Sequence, residues 1–225
     1  AHRGIVNHKA LELMRDELTQ ARYRAHVELD AAGQPTGHLA EDAYYLAIEL
    51  QGQAGQAAYQ SALETGLLHL QSLGFAAVGS QDVSRPSEKV FWDVLEALYR
   101  GHEDLPYFVA QIGVGDLSDL AYWPELTARF SDLEKVHIGP LKLFKDGSLG
   151  ARTAWLSQPY ADAPDTQGLN LLPYDTQVAW FQEAGARGIQ VLTHAIGDQA
   201  IVETCAAFAE AQARLGRKGN PLRHA

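Results

Sequence analysis

Two stretches of this chain combine an apolar run, an ionisable side chain and a glycine turn. One is Gly139-Pro140-Leu141-Lys142-Leu143-Phe144-Lys145-Asp146-Gly147-Ser148-Leu149-Gly150. The other is Ile189-Gln190-Val191-Leu192-Thr193-His194-Ala195-Ile196-Gly197-Asp198. Such runs read as buried strands that end in polar loops. In an α/β barrel, side chains at the C-terminal ends of the strands project into the catalytic site. His194 offers an imidazole nitrogen, a common ligand of zinc and similar ions. Lys142 offers an amine that carboxylation by CO2 converts to an anionic oxygen ligand. The pair predicts a divalent metal site.

Each candidate has a plainer reading beside it. His194 can be a histidine hydrogen-bonded at a strand end. Lys142 can be paired with a carboxylate or lie on an exposed edge, because a buried lysine is costly unless paired or chemically changed. The two-residue period of a strand groups Lys142 with Phe144 and Asp146. It turns Lys145 toward outer helices, where its stem is expected to snorkel along apolar surface. Asp198 is expected to cap the next helix or to steady a neighbouring imidazole. Asp82 and Gln111 stand near strand ends, where turn or capping roles are the plainer account. Gly147, Gly150 and Arg152 form a loop placed to meet substrate. The Gly-Ser-Leu-Gly run lacks the Gly-Lys-Ser/Thr ending of a phosphate loop, so nucleotide binding is rejected.

The elements that must position these groups repeat. Strands are predicted near 75–78, 107–112, 139–146, 189–194 and 221–224, their starts about 32 residues apart except for one longer step. That step contains residues 146–173, a Gly-, Pro- and Asp-rich stretch that reads as a functional loop or lid. Helices are predicted from Pro86-Glu88 (with Val90, Phe91, Val94, Leu95 and Leu98 on one face), over 117–130, after an Asp175 cap, and along Ile201, Cys205, Phe208 and Gln212. Residues 51–225 thus read as βα units, of a barrel or a doubly wound sheet, with a helical pattern over 53–73. Residues 1–50, with a helix over 9–18 and a turn at Ala32–Gly37, read as an insertion near the barrel mouth.

Composition bounds the function. The 225 residues carry a formal net charge of −10, and no basic stripe is visible, which argues against nucleic acid as a partner. No apolar run approaches the roughly 20 residues that span a bilayer. The single Cys205 rules out an internal disulfide framework and fits a reducing, cytoplasmic setting. No signal peptide is recognisable, and the chain opens at Ala1 rather than Met.

The sequence resembles the YtcJ-like branch of the metal-dependent amidohydrolases, related to N-substituted formamide deformylase and D-aminoacylase. The resemblance rests on Lys142-Leu-Phe-Lys-Asp146-Gly147-Ser148-Leu149-Gly150-Ala-Arg152-Thr153-Ala154 and on His194-Ala-Ile-Gly197-Asp198-Gln-Ala200. His2 with Val6-Asn7 and Ala10-Leu11, and Gly33-Gln-Pro35-Thr36-Gly37 with Leu39 and Glu41, extend it toward the N-terminus. It implies a (β/α)8 TIM barrel, here incomplete, with the chain as the central part of one catalytic domain. It implies hydrolysis of a non-peptide C–N bond (amide, formamide or related) in a small molecule by metal-activated water, zinc being the expected ion. Lys142 corresponds to the strand-four ligand, commonly carboxylated, and His194 to the strand-five ligand. His224 is the candidate third ligand. His2 flanks the substrate pocket, with Asp146 and Arg152 as further substrate-binding candidates.

Several family features have no counterpart. The first-strand His-x-His pair and the last-strand Asp that acts as base are absent, and the sixth-strand motif survives only as Arg223-His224-Ala225. An inactive barrel fragment, a non-enzymatic binding module, and a barrel hydrolase or lyase without this metal centre therefore stay open, as does a homo-oligomer.

Overall fold

The computed structural model describes residues 3–50, 55–83 and 86–216. The N-terminal part contains β1 (Arg3–Ile5), α1 (His8–Leu13), α2 (Ala21–Arg24), β2 (Val27–Leu29), β3 (Pro35–Ala40) and α3 (Glu41–Leu50). The strands form an antiparallel sheet in the order β1-β3-β2. Met14, Leu18, Val27, Leu39, Ala43 and Ala47 make a small core of its own. The predicted helix over 9–18 is shorter than expected. The sheet was not foreseen, because strands of three residues carry too few side chains to display a period of two.

The rest alternates helix and strand. It comprises α4 (Gln56–Ser72), β4 (Ala77–Val83), α5 (Lys89–Gly101), β5 (Tyr107–Gly113), α6 (Trp123–Arg129), β6 (Val136–Phe144), α7 (Tyr174–Ala186), β7 (Val191–His194) and α8 (Asp198–Arg214). The four strands are parallel and lie side by side in chain order, β4-β5-β6-β7. Such an order winds the chain in one direction, unlike the reversing order of a doubly wound sheet. The α/β class with a parallel sheet is as expected. Among the described residues the sheet does not close into a barrel, and the strand predicted at 221–224 lies outside them.

One sheet face is packed and the other is not. Phe108, Ala110, Ile112, Leu141, Leu143 and Val191 join the helices' Phe91, Leu95, Leu126, Phe181 and Phe208 in one core. The intervening strand residues Val109, Gln111, Lys142 and Leu192 are only half-buried, and Phe144 is exposed. We call this second surface the inner face.

Some boundaries move. β4 runs on through Gln81 and Asp82, where a turn was expected. Pro173 rather than Asp175 is the N-cap of α7, and Asp175 lies in its first turn. On α8 the buried stripe is Ala200, Thr204, Ala207, Phe208 and Ala211, while Ile201 and Cys205 are exposed. Small residues flank Phe208 on the packed side of that helix. Val90 of α5 is likewise exposed beside the buried Phe91, Val94, Leu95 and Leu98.

Candidate active site at the C-terminal ends of the parallel strands

A bulge decides which way Lys142 points. Ile138 pairs with Ala110 and Leu141 with Ile112, so β6 spends one extra residue, at Gly139-Pro140, against its neighbour. Proline has no N–H to give the ladder, which suits it to a bulge. Gly139 is needed for close approach, since a Cβ there would lie 2.6 Å from Val109 Cγ1 and 2.7 Å from the Ala110 carbonyl. Val136 and Ile138 face the helices. Without the extra residue Lys142 would join them. With it, Leu141 and Leu143 enter the core and Lys142 and Phe144 take the inner face.

His194 comes to the same face on the next strand. Phe144 pairs with His194, and Lys142 with Leu192. Lys142 and His194 are therefore two residues apart in register, about 6.6 Å along the strands. Both meet the Phe144 ring: the Lys142 ammonium lies 5.3 Å from its centroid and the imidazole 5.6 Å away. Burial pushes the Lys142 amine below its ordinary value. Among the described residues its ammonium pairs with no carboxylate.

The His194 tautomer follows from its partner. Nε2 lies 2.7 Å from the Gly147 carbonyl, which can only accept, so Nε2 carries the proton. The lone pair of the neutral ring is then on Nδ1. Asp146 Oδ1 is 3.7 Å from Nε2.

Asp146 is fully buried. It accepts backbone N–H bonds from Trp155 (2.8 Å), Ile196 (3.0 Å) and Gly197 (2.8 Å). β6 ends at Phe144, so the alternation expected to place Asp146 beside Lys142 stops before reaching it. Its oxygens are turned to the backbone of the 146–173 loop and of the β7–α8 turn. Arg152 lies further along that loop with a left-handed backbone (φ 56°) and pairs with Asp162. Asp198 also serves the loop: its oxygens accept from the Ser157 N–H (2.9 Å) and hydroxyl (2.5 Å), which holds its pKa low. It does not meet the imidazole through either of these bonds.

Lys145 corrects an expectation. It does reach the helix side, but it is wholly buried rather than snorkelling. Its ammonium donates to the Leu172 carbonyl and to Glu203 of α8, both at 2.5 Å, and lies 5.1 Å from the Trp155 ring centroid. The 146–173 segment is thus fastened at Asp146, Lys145 and Asp198. Glu203, Thr153 and Trp155 are the participants that the sequence did not single out. Thr153 accepts from Ser148 N–H through its hydroxyl and from Gly147 N–H through its carbonyl.

Lys142 and His194 offer two donors on one face: a partly buried amine that pairs with no carboxylate among the described residues, and an imidazole whose Nε2 is held by the Gly147 carbonyl. A four-coordinate site needs more donors. Among the described residues no group of three or more His, Cys, Asp or Glu comes together. His224 and His2 lie outside the described residues.

Comparison with known proteins follows the same outline. YtcJ from Bacillus subtilis (strain 168) is 30% identical over 198 residues, covering 84% of this chain and 35% of YtcJ. Protein LONG AFTER FAR-RED 3 from Arabidopsis thaliana is 37% identical over 67 residues, 30% of this chain and 12% of its own. The crystal structure of an uncharacterized metal-dependent hydrolase from Pyrococcus furiosus superposes with a TM-score of 0.64 at 30% identity, over 94% of this chain and 42% of that one. One from Pyrococcus horikoshii OT3 gives 0.64 at 27%, over 93% and 40%. The chain therefore spans well under half the length of these relatives. The family model described as the amidohydrolase family matches residues 1–225, and with the lysine and histidine strands in these positions the chain belongs to the amidohydrolase family.

Proposed function

We propose that this chain is the central part of the catalytic barrel of a metal-dependent hydrolase that cleaves a non-peptide C–N bond, in an amide, formamide or related small molecule. The observation that carries the reading is the shared inner face of Lys142 and His194, with Lys142 unpaired among the described residues. The singly wound parallel sheet supports the barrel, since its two outer strands leave edges for further βα units.

In this reading His194 and a carboxylated Lys142 would hold a divalent ion, zinc by expectation. The ion supplies acidity to a bound water and polarisation to the scissile carbonyl. The Gly147 carbonyl holds the proton on Nε2 and keeps the imidazole in the binding tautomer. Phe144 shields the two donors from solvent on one side. The metal-free alternatives are favoured by one observation: among the described residues no three His, Cys, Asp or Glu side chains gather into a ligand set.

Metal analysis of the protein carrying this sequence tests the proposal. Lys142→Arg keeps the charge but cannot be carboxylated, so it should lose metal and hydrolysis as fully as Lys142→Ala. His194→Ala should lose metal by 10-fold or more in affinity, on the order seen when ligand shells are disturbed. Unchanged metal content in Lys142→Arg would contradict the carboxylated-ligand role.

A further inference from the structure

Lys145 follows the last residue of β6 and is tied through each of its polar groups. Its N–H donates to the His194 carbonyl (2.9 Å), and its own carbonyl accepts from the Leu171 N–H (2.8 Å). Its ammonium donates to the Leu172 carbonyl and to Glu203 Oε1, both at 2.5 Å. One residue thus joins the end of β7, the return of the 146–173 loop and α8. A little further along the same backbone, the Gly147 carbonyl accepts from His194 Nε2 (2.7 Å).

Stability alone does not call for an ion pair here. Lys145 is wholly buried, and the Glu203 side chain is only 19% exposed. Taking two charges out of water offsets much of their attraction, and an apolar pair of similar volume commonly leaves a protein as stable or more so. What the buried charge supplies is position. An apolar side chain at 145 could pack at several heights beside Trp155, whose ring centroid is 5.1 Å from the ammonium. An ammonium shared by a carboxylate and a carbonyl has one seat, because both bonds are short and directional. That seat fixes the backbone from which the Gly147 carbonyl projects.

We infer that Lys145 is a positioning residue for His194. Its ion pair with Glu203 sets the end of β6 so that the Gly147 carbonyl meets Nε2 and the imidazole keeps one tautomer. That a metal uses the other ring nitrogen rests on the hydrolase reading above. The positioning itself does not.

The test is the double variant Lys145→Met with Glu203→Met, which removes both charges and keeps the volume. Long-range 1H–15N correlation of the histidine rings is recorded on EDTA-treated protein at alkaline pH, where the rings are neutral. His194 is assigned by the signals that His194→Gln removes, and His137, at the start of β6, is the internal control. In the parent protein His194 should show one protonated and one unprotonated ring nitrogen, well separated in shift. In the double variant those two shifts should converge as the ring exchanges between tautomers, while His137 is unchanged and melting stays close to the parent. If the double variant fails to fold, Lys145→Met alone is read in the same way, since Glu203 can turn toward water. Unchanged His194 shifts, an equal change at His137, or a parent ring already divided between tautomers overturns the proposal. Because metal is absent throughout, a failed metal analysis leaves this result unaffected, and failure here leaves the metal reading standing.

Discussion

Asp146 holds the end of the candidate site together without facing open space. One carboxylate receives three backbone N–H groups from two segments remote in sequence, and it lies beside the imidazole of His194. Asn in its place would turn an N–H2 toward one or two of those donors. Asp146→Asn should therefore destabilise the protein by about 2–4 kcal/mol and lower Tm by roughly 5–10 °C. The His194 ring 15N shifts should move with it, because the loop that fixes Nε2 loosens. A variant with unchanged melting and unchanged imidazole shifts would show that Asp146 does not position the ring. At this scale the sequence was partly legible. The alternation of Lys142, Leu143 and Phe144 disclosed the inner face, because those three residues lie within one strand. Lys145 was misread because its partner Glu203 is 58 positions away, and no local pattern announces such a pair.

The loop over residues 146–173 behaves as a built element, and glycines mark where it touches its neighbours. A Cβ on Gly197, at the start of α8, would lie 1.8 Å from the Trp155 carbonyl oxygen. A Cβ on Gly150 would meet nothing within 4 Å. Gly197→Ala should thus cost about 3 kcal/mol or more, and Gly150→Ala should stay within roughly 0.5 kcal/mol of the parent. Urea unfolding of the two variants checks this directly, and equal midpoints would mean that the loop does not seat on α8. Helices and strands of ordinary length were legible from apolar period and turn residues. The N-terminal sheet was not, because β1 and β2 have three residues each. The Gly139-Pro140 bulge also escaped notice, since a bulge is visible only against a partner strand.

Among the described residues, the parallel sheet ends in β4 on one side and β7 on the other. Its inner face carries Phe144 at 40% exposure. Unpaired edges and an uncovered face are templates for association. The 225-residue segment expressed alone should self-associate, read as a mass above one chain by light scattering. A stable monomer at high concentration would show that its edges are already protected. The regular βα spacing disclosed a parallel sheet but left a barrel and a doubly wound order both open, because spacing does not say on which side of its neighbour a strand adds; among the described residues the order is β4-β5-β6-β7 and the sheet does not close. The central claim is that Lys142 and His194 hold one divalent ion. Anomalous diffraction at the zinc edge from zinc-loaded crystals of the protein carrying this sequence tests it most directly. The expected result is a single strong peak within bonding distance of the His194 imidazole and of extra density continuous with Lys142 Nζ. Ordered side chains at both positions with no peak between them would contradict it.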